Sequence, residues 1–122
     1  LVSVLIPAYN EEKVIASSIR QILRSHYANL EVIVVDDGSI DATSAVVRQH
    51  YADEPRVRLI TIPNGGKAHA VNTALRESRG TVVVAAFGVA MMPEPLTTVH
   101  IPAAGKVGLF PTKATLPGVH TD

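Results

Sequence analysis

Apolar positions along the chain follow two rhythms in turn. Four short runs, Val2 to Ile6, Val32 to Val35, Val57 to Ile62 and Val82 to Ala86, are apolar strand candidates, and the second, β-branched throughout, suits a strand buried in a parallel sheet. Between them the apolar residues return at helical spacing. Val14, Ile15, Ser18, Ile19, Ile22 and Leu23 form one stripe, with Asn10 predicted as N-cap and Glu11 and Glu12 in the first turn, where the helix dipole favours acid. A second helix is predicted over about Asp41 to Tyr51, burying Ala45, Val46 and either Tyr51 or His50, with Ser39 or Asp41 as cap and Pro55 marking its exit. A third runs from about Gly66 to Arg79 with Val71, Ala74, Leu75 and Ser78 on one side and Gly80 at C′. The order βαβαβαβ predicts an α/β domain, a mostly parallel Rossmann-like sheet between helices in three α/β/α layers.

The rhythm stops near Pro93. Five of the eight prolines, Pro93, Pro95, Pro102, Pro111 and Pro117, lie beyond that point, and regular helix is hard to sustain there. The chain thus divides into a βαβαβαβ core over 1–92 and a proline-rich tail over 93–122, in the same domain. Lys106-Val107-Gly108-Leu109-Phe110 is predicted as a short edge strand within that tail.

Composition narrows the classes. With 122 residues and 47% hydrophobic content the chain can bury one core, built from Val, Ile, Leu and Ala because aromatics are scarce. Lys plus Arg and Asp plus Glu both total 11, so no net field attracts nucleic acid or an anionic membrane. The absence of Cys removes disulfides, thiolate metal sites and a cysteine nucleophile. The longest apolar run, Val82 to Met92, is broken by Gly88 and falls short of the roughly 20 residues that cross a bilayer. The sequence opens at Leu1 inside a strand, with no Met and no signal-peptide pattern, and reads as a piece of something longer.

Three polar clusters stand where strands hand over to helices, the rim at which open α/β sheets bind ligands. Asp36 and Asp37 close the second strand. Adjacent strand residues point in different directions, so one carboxylate can face a ligand while the other bonds loop amides; alternatively both cap the next helix with Gly38 and Ser39. Pro7-Ala8-Tyr9-Asn10-Glu11 ends the first strand, where Pro7 is expected to terminate the ladder. Tyr9 can lay its ring beside a nucleobase or serve as a half-buried aromatic at the sheet edge, and Glu11 reads as a helix-start residue. Asn64-Gly65-Gly66-Lys67 opens the third helix, so free amides, the positive dipole end and a lysine converge where a diphosphate could sit; a plain Gly-Gly turn with a solvated lysine would use the same letters. The cluster is no P-loop, because Thr61 stands at the first glycine position and Ala68 follows Lys67.

Taken together, Pro7-Ala8-Tyr9-Asn10-Glu11, Val34-Val35-Asp36-Asp37-Gly38-Ser39 and Asn64-Gly65-Gly66-Lys67-Ala68-His69-Ala70-Val71-Asn72 resemble the nucleotide-sugar half of family 2 glycosyltransferases. These are inverting enzymes of GT-A fold, and the third segment looks like that of hyaluronan, chitin and poly-N-acetylglucosamine synthases. The resemblance implies a UDP-sugar donor, with Asp37 accepting the imide N–H of uracil, Asp36 organising the loop and approaching the ribose, and Tyr9 contacting the base. It further implies that Pro7, Glu11 and Gly66 belong to the nucleotide site, that Lys67 contacts the diphosphate, and that Asn72 braces the pocket. A cytoplasmic setting is expected, on the membrane face in a membrane-attached parent, and homo-oligomerisation stays open.

The likeness breaks after the fourth strand. There the family carries an Asp-x-Asp for Mg²⁺ or Mn²⁺, whereas this chain has Phe87-Gly88-Val89, and Glu94 nearby reads as a surface residue. The expectation is a site without metal ligands. The family's general base and its Gln-x-x-Arg-Trp belong beyond the Val107-Gly108-Leu109 strand. The readings that follow are a donor-binding glycosyltransferase domain or a truncated nucleotide-binding module without turnover. A phosphoacceptor receiver domain fits in length, but wants acids where Pro7-Ala8-Tyr9 and Pro63-Asn64 stand. Of the five histidines, only His69, one turn into the third helix, has a place to raise anion affinity at low pH.

Overall fold

A computed structural model describes residues 1–25 and 29–86. Its elements follow the predicted order: β1 (Val2–Ala8), α1 (Ile15–Leu23), β2 (Leu30–Asp37), α2 (Thr43–Tyr51), β3 (Val57–Ile62), α3 (Lys67–Glu77) and β4 (Val82–Ala85). The strands form one parallel sheet in the order β3-β2-β1-β4. The proline-rich tail, its expected edge strand, Phe87-Gly88-Val89 and Glu94 lie outside the described residues.

Strand order dictates the layers. From β1 to β3 the chain advances in one direction across the sheet, and from β3 to β4 it returns past β1. Right-handed crossovers therefore put α1 and α2 on one face and α3 on the other. The period of two along the strands fills both sides. Val4, Ile6, Val32, Val34 and Val84 pack with Ile15, Ile19, Ile22 and Val47, while Leu5, Ile33, Val35 and Val83 pack with Ala70, Val71, Ala74 and Leu75. Every residue of β2 is buried, as a central strand covered by helices on both faces requires.

Four local expectations are corrected. Pro7 does not end β1, because it sits in register opposite Val35. The Ala86 N–H bonds the Leu5 carbonyl, so the backbone groups of alternate residues 5 and 7 face β4, and the N–H that Pro7 lacks lies on that side, leaving the ladder with β2 to run on through Ala8. Asn10 does not cap α1, which starts at Ile15 behind Val14 with no acid in its first turn. In α2 it is Val47 that is buried and Ala45 and His50 that are exposed, while the Tyr51 hydroxyl donates to the Ala16 carbonyl and ties α2 to α1. Gly80 is no left-handed C′ residue. A Cβ there would stand 2.6 Å from both the Leu1 carbonyl oxygen and Ser3 Oγ, so close backbone approach explains the glycine.

That approach belongs to a latch beneath the sheet. Glu31, 7% exposed, accepts bonds from Ser3 Oγ at 2.6 Å and the Arg79 N–H at 2.7 Å, with Arg58 Nη1 at 3.4 Å. The Gly80 N–H in turn donates to Ser3 Oγ. Burial pushes the Glu31 carboxyl up, but these bonds and the Arg58 guanidinium outweigh it and bring it below its ordinary 4.5. A depressed carboxylate contributes stability that is complete above 4.5 and is lost as the pH falls through the lower folded value. Glu31→Ala is therefore expected to cost about 1–3 kcal/mol at pH 7 and to flatten the acid limb of the stability profile below 4.5, as denaturant melts across pH will show. An unchanged acid limb would remove Glu31 from this role.

Candidate nucleotide-binding site

The site is laid out by the alternation of β2. Val32 and Val34 face α1 and α2, whereas Ile33 and Val35 face α3, so the next two residues, Asp36 and Asp37, leave the strand toward opposite faces. Each finds a different loop. Asp36 accepts the Ser39 N–H at 2.9 Å on Oδ1 and the Ser44 hydroxyl on Oδ2, shaping the connection into α2. Asp37 accepts the Gly65 N–H at 2.8 Å on Oδ1 and the Gly66 N–H at 3.1 Å on Oδ2, shaping the connection into α3. Asn64 Nδ2 donates to the Asp37 carbonyl at 2.9 Å and lies 3.4 Å from Oδ2. Both carboxylates are 5% exposed, and these donors replace the water that burial removes.

Two glycines make this packing feasible. Gly38 has φ +73° and a Cβ on it would lie 2.5 Å from the Asn64 backbone nitrogen, so the turns after β2 and β3 touch through backbone. Gly66, at φ +97°, turns the chain into α3. The His69 ring lies against Gly65, where an added Cβ would be 2.6 Å from His69 Cδ2.

The turn after β1 is locked onto the loop after β2. Asn10, at φ +52°, receives the Ile40 N–H on Oδ1 and gives its own N–H to Ser39 Oγ, at 2.9 and 2.8 Å. The Glu11 N–H donates to Thr43 Oγ1 at 2.9 Å, the Glu12 N–H to Asp41 Oδ2 at 3.2 Å, and the Ala42 N–H to Glu12 Oε1 at 2.9 Å. Asp41 also accepts the N–H of Thr43, the first residue of α2, at 2.9 Å. Short polar side chains here satisfy loop amides that no sheet or helix supplies, which is why Asn10 is drawn away from capping α1.

Between these loops, at the C-terminal ends of β1, β2 and β3, lies an open cleft of about 360 Å³ lined by Pro7, Ala8, Tyr9, Glu11, Asp37, Asn64, Gly66 and Lys67. It sits beside β1, where the strand order reverses, the switch point favoured for ligands in open parallel sheets. Tyr9 is 48% exposed. Glu11 is held above its ordinary value, chiefly by burial and secondarily by Asp41, against the opposing pull of Lys67. Six of the eight residues singled out in the sequence line the cleft; the other two, Asp36 and Asn72, do not. Asp36 is committed to the α2 loop, and Asn72 is 2% exposed further along α3. Ala8 and Asn64 line it without having been singled out. Asn64 had a signal, an amide side chain directly ahead of a Gly-Gly turn. Among the described residues no three His, Cys, Asp or Glu side chains come together to hold a metal; Phe87 and Val89, neither with a donor side chain, lie outside them.

A sequence model described as glycosyl transferase family 2 matches residues 3–86. The chain belongs to this family. The family 2 domain is 46% identical over 80 residues to chondroitin synthase of Escherichia coli, covering 66% of this chain and 12% of that relative. Among solved structures it resembles the mannosyltransferase PcManGT from Pyrobaculum calidifontis in complex with GDP-Man and Mn²⁺, with TM-score 0.63 and 37% identity over 69% of this chain and 26% of that one. It also resembles S. aureus TarS 1–349 in complex with UDP-GlcNAc, with TM-score 0.60 and 27% identity over 69% and 25% of the two chains. The domain thus has the GT-A architecture and spans about an eighth of the chondroitin synthase it matches. No helix among the described residues is long and apolar enough to cross a membrane.

Because Gly38 is left-handed and in backbone contact with Asn64, Gly38→Ala should destabilise the family 2 domain by about 1–2 kcal/mol from φ alone, and by more from the contact. Thermal unfolding reads this directly, and a melting temperature equal to the parent's would show that the two turns are not held together as described.

Proposed function

We propose that the cleft binds the nucleoside diphosphate of a UDP-sugar and that the domain is the donor half of an inverting glycosyltransferase. The observation that carries this reading is the convergence of an exposed ring (Tyr9), a buried acceptor (Asp37) and a cation at a helix start (Lys67) on one cleft. These are a surface for a base, a reader for its N–H and a seat for phosphate. The first turn of α3 from Ala68 onward adds the positive end of the helix dipole to the Lys67 charge.

The acceptor count supports uracil over guanine. A carboxylate offers about four lone-pair sites, and three chain donors, Gly65 N–H, Gly66 N–H and Asn64 Nδ2, already approach Asp37. Of these three, one reaches Oδ1 and two reach Oδ2, so a further single donor would fit best on Oδ1. The uracil pairing edge offers a single N–H between two carbonyls, whereas guanine offers donors from both N1 and its amino group.

In transfer, the acceptor hydroxyl oxygen bonds to the anomeric carbon from the face opposite UDP, the carbon–oxygen bond to the diphosphate breaks with its electrons leaving on UDP, and the hydroxyl proton passes to a general base. The family resemblance puts that base beyond Val107-Gly108-Leu109. The residues of the cleft bind and orient the donor.

A second reading, a module that holds nucleotide without turnover, is favoured by Phe87 and Val89 standing where the family has its paired carboxylates. Calorimetric titration of UDP, with and without Mn²⁺, and release of sugar from a UDP-sugar separate the two. Binding with release supports transfer, binding without release supports the inert module, and no UDP binding contradicts both. Lys67→Ala is expected to weaken UDP by about 1–3 kcal/mol while leaving uridine nearly unchanged; equal losses for the two ligands would mean that Lys67 does not meet phosphate.

A further inference from the structure

The Gly65 and Gly66 amides, expected from the sequence to meet the diphosphate, are turned instead onto Asp37 at 2.8 and 3.1 Å. Two successive N–H groups aimed at one carboxylate form a small anion-binding concavity, and the side chain of β2 fills it. The Gly66 turn leads directly into Lys67 and the first turn of α3, so the place where a phosphate would be met is set by the carboxylate that would read the base.

Resting on the donor-site reading above, we propose that Asp37 couples the base and diphosphate subsites, acting as a positioning residue for Lys67 and the start of α3 as well as the base acceptor. The base N–H takes an acceptor position on Oδ1 and holds the carboxylate in the orientation that also holds Gly65 and Gly66. The loop is then already ordered when the diphosphate arrives, and the second ligand bears less of the ordering entropy. Linkage makes the effect reciprocal. Asparagine at this position keeps one acceptor oxygen but presents an N–H₂ group to a loop that offers only donors, so the coupling is lost even where the fold is kept.

The test uses the chain as it is, with uridine and inorganic pyrophosphate as separate probes. Pyrophosphate is expected to bind about fivefold tighter or more in saturating uridine than alone. Uridine alone is expected to shift the amide resonances of Gly65 and Gly66 in ¹⁵N-correlated spectra. In Asp37→Asn the enhancement should disappear and pyrophosphate alone should weaken, whereas a residue that only reads the base would leave pyrophosphate untouched. The wild-type measurements stand without the variant, should it fail to fold. Uridine and pyrophosphate binding independently, with both glycine resonances unmoved by uridine, overturns the coupling and leaves the donor site intact. A chain that binds pyrophosphate and neither uridine nor UDP overturns the donor-site reading itself.

Discussion

Adjacent residues of an extended strand cannot face the same way, and the loops around the cleft depend on that constraint at the end of β2. Asp36 goes to the side of α1 and α2, where it fixes Ser39 and Ser44. Asp37 goes to the side of α3, where it fixes Gly65 and Gly66. Shifting the register by one residue would send each carboxylate to the opposite face, away from the loop that it now holds. Long continuous apolar strands hold that register because both faces of β2 are buried, so the core chemistry of Val and Ile determines where two charges emerge.

The arrangement explains how so polar a rim sits on so apolar a sheet. Loops at the ends of strands carry backbone amides with no ladder to join, and side chains must take their place. Asn10, Glu12, Ser39, Asp41 and Thr43 answer those amides from the neighbouring loop, so the turns after β1 and β2 are tied together. Asp37 and Asn64 extend it to the turn after β3. The cleft walls are thereby tied to one another by groups that mostly do not line the cleft. At the opposite edge, Glu31, Ser3 and Arg58 hold the strand starts in the same manner.

The fold was legible because its signal is repetitive. Four β-branched runs separated by helical stripes leave little choice but a parallel sheet with helices, and the family motifs narrowed it to GT-A. Single residues were harder wherever one letter serves two purposes. Asn10 ahead of two glutamates reads as a helix cap, yet its partner is Ile40, thirty positions away, and no local pattern reveals that. Gly80 after a helix reads as a left-handed cap, but it is small because Leu1 and Ser3 crowd it. Pro7 reads as a strand end, yet it stays in register with Val35 because the N–H it lacks faces away from β2. Asp36 and Asn72 belong to the same motifs without lining the cleft: both are buried, and Asp36 holds the loop into α2 as its motif implied. What the sequence hides throughout is the partner across the sheet.

A crystal structure of this chain with UDP tests the central claim most directly. The account predicts uracil beside Tyr9 with its N–H on Asp37, the diphosphate at Lys67 and the start of α3, and the Gly65 and Gly66 amides still on the same carboxylate. UDP seated elsewhere, or the Asp37 carboxylate swung away from the Gly65–Gly66 turn when the base binds, would contradict it.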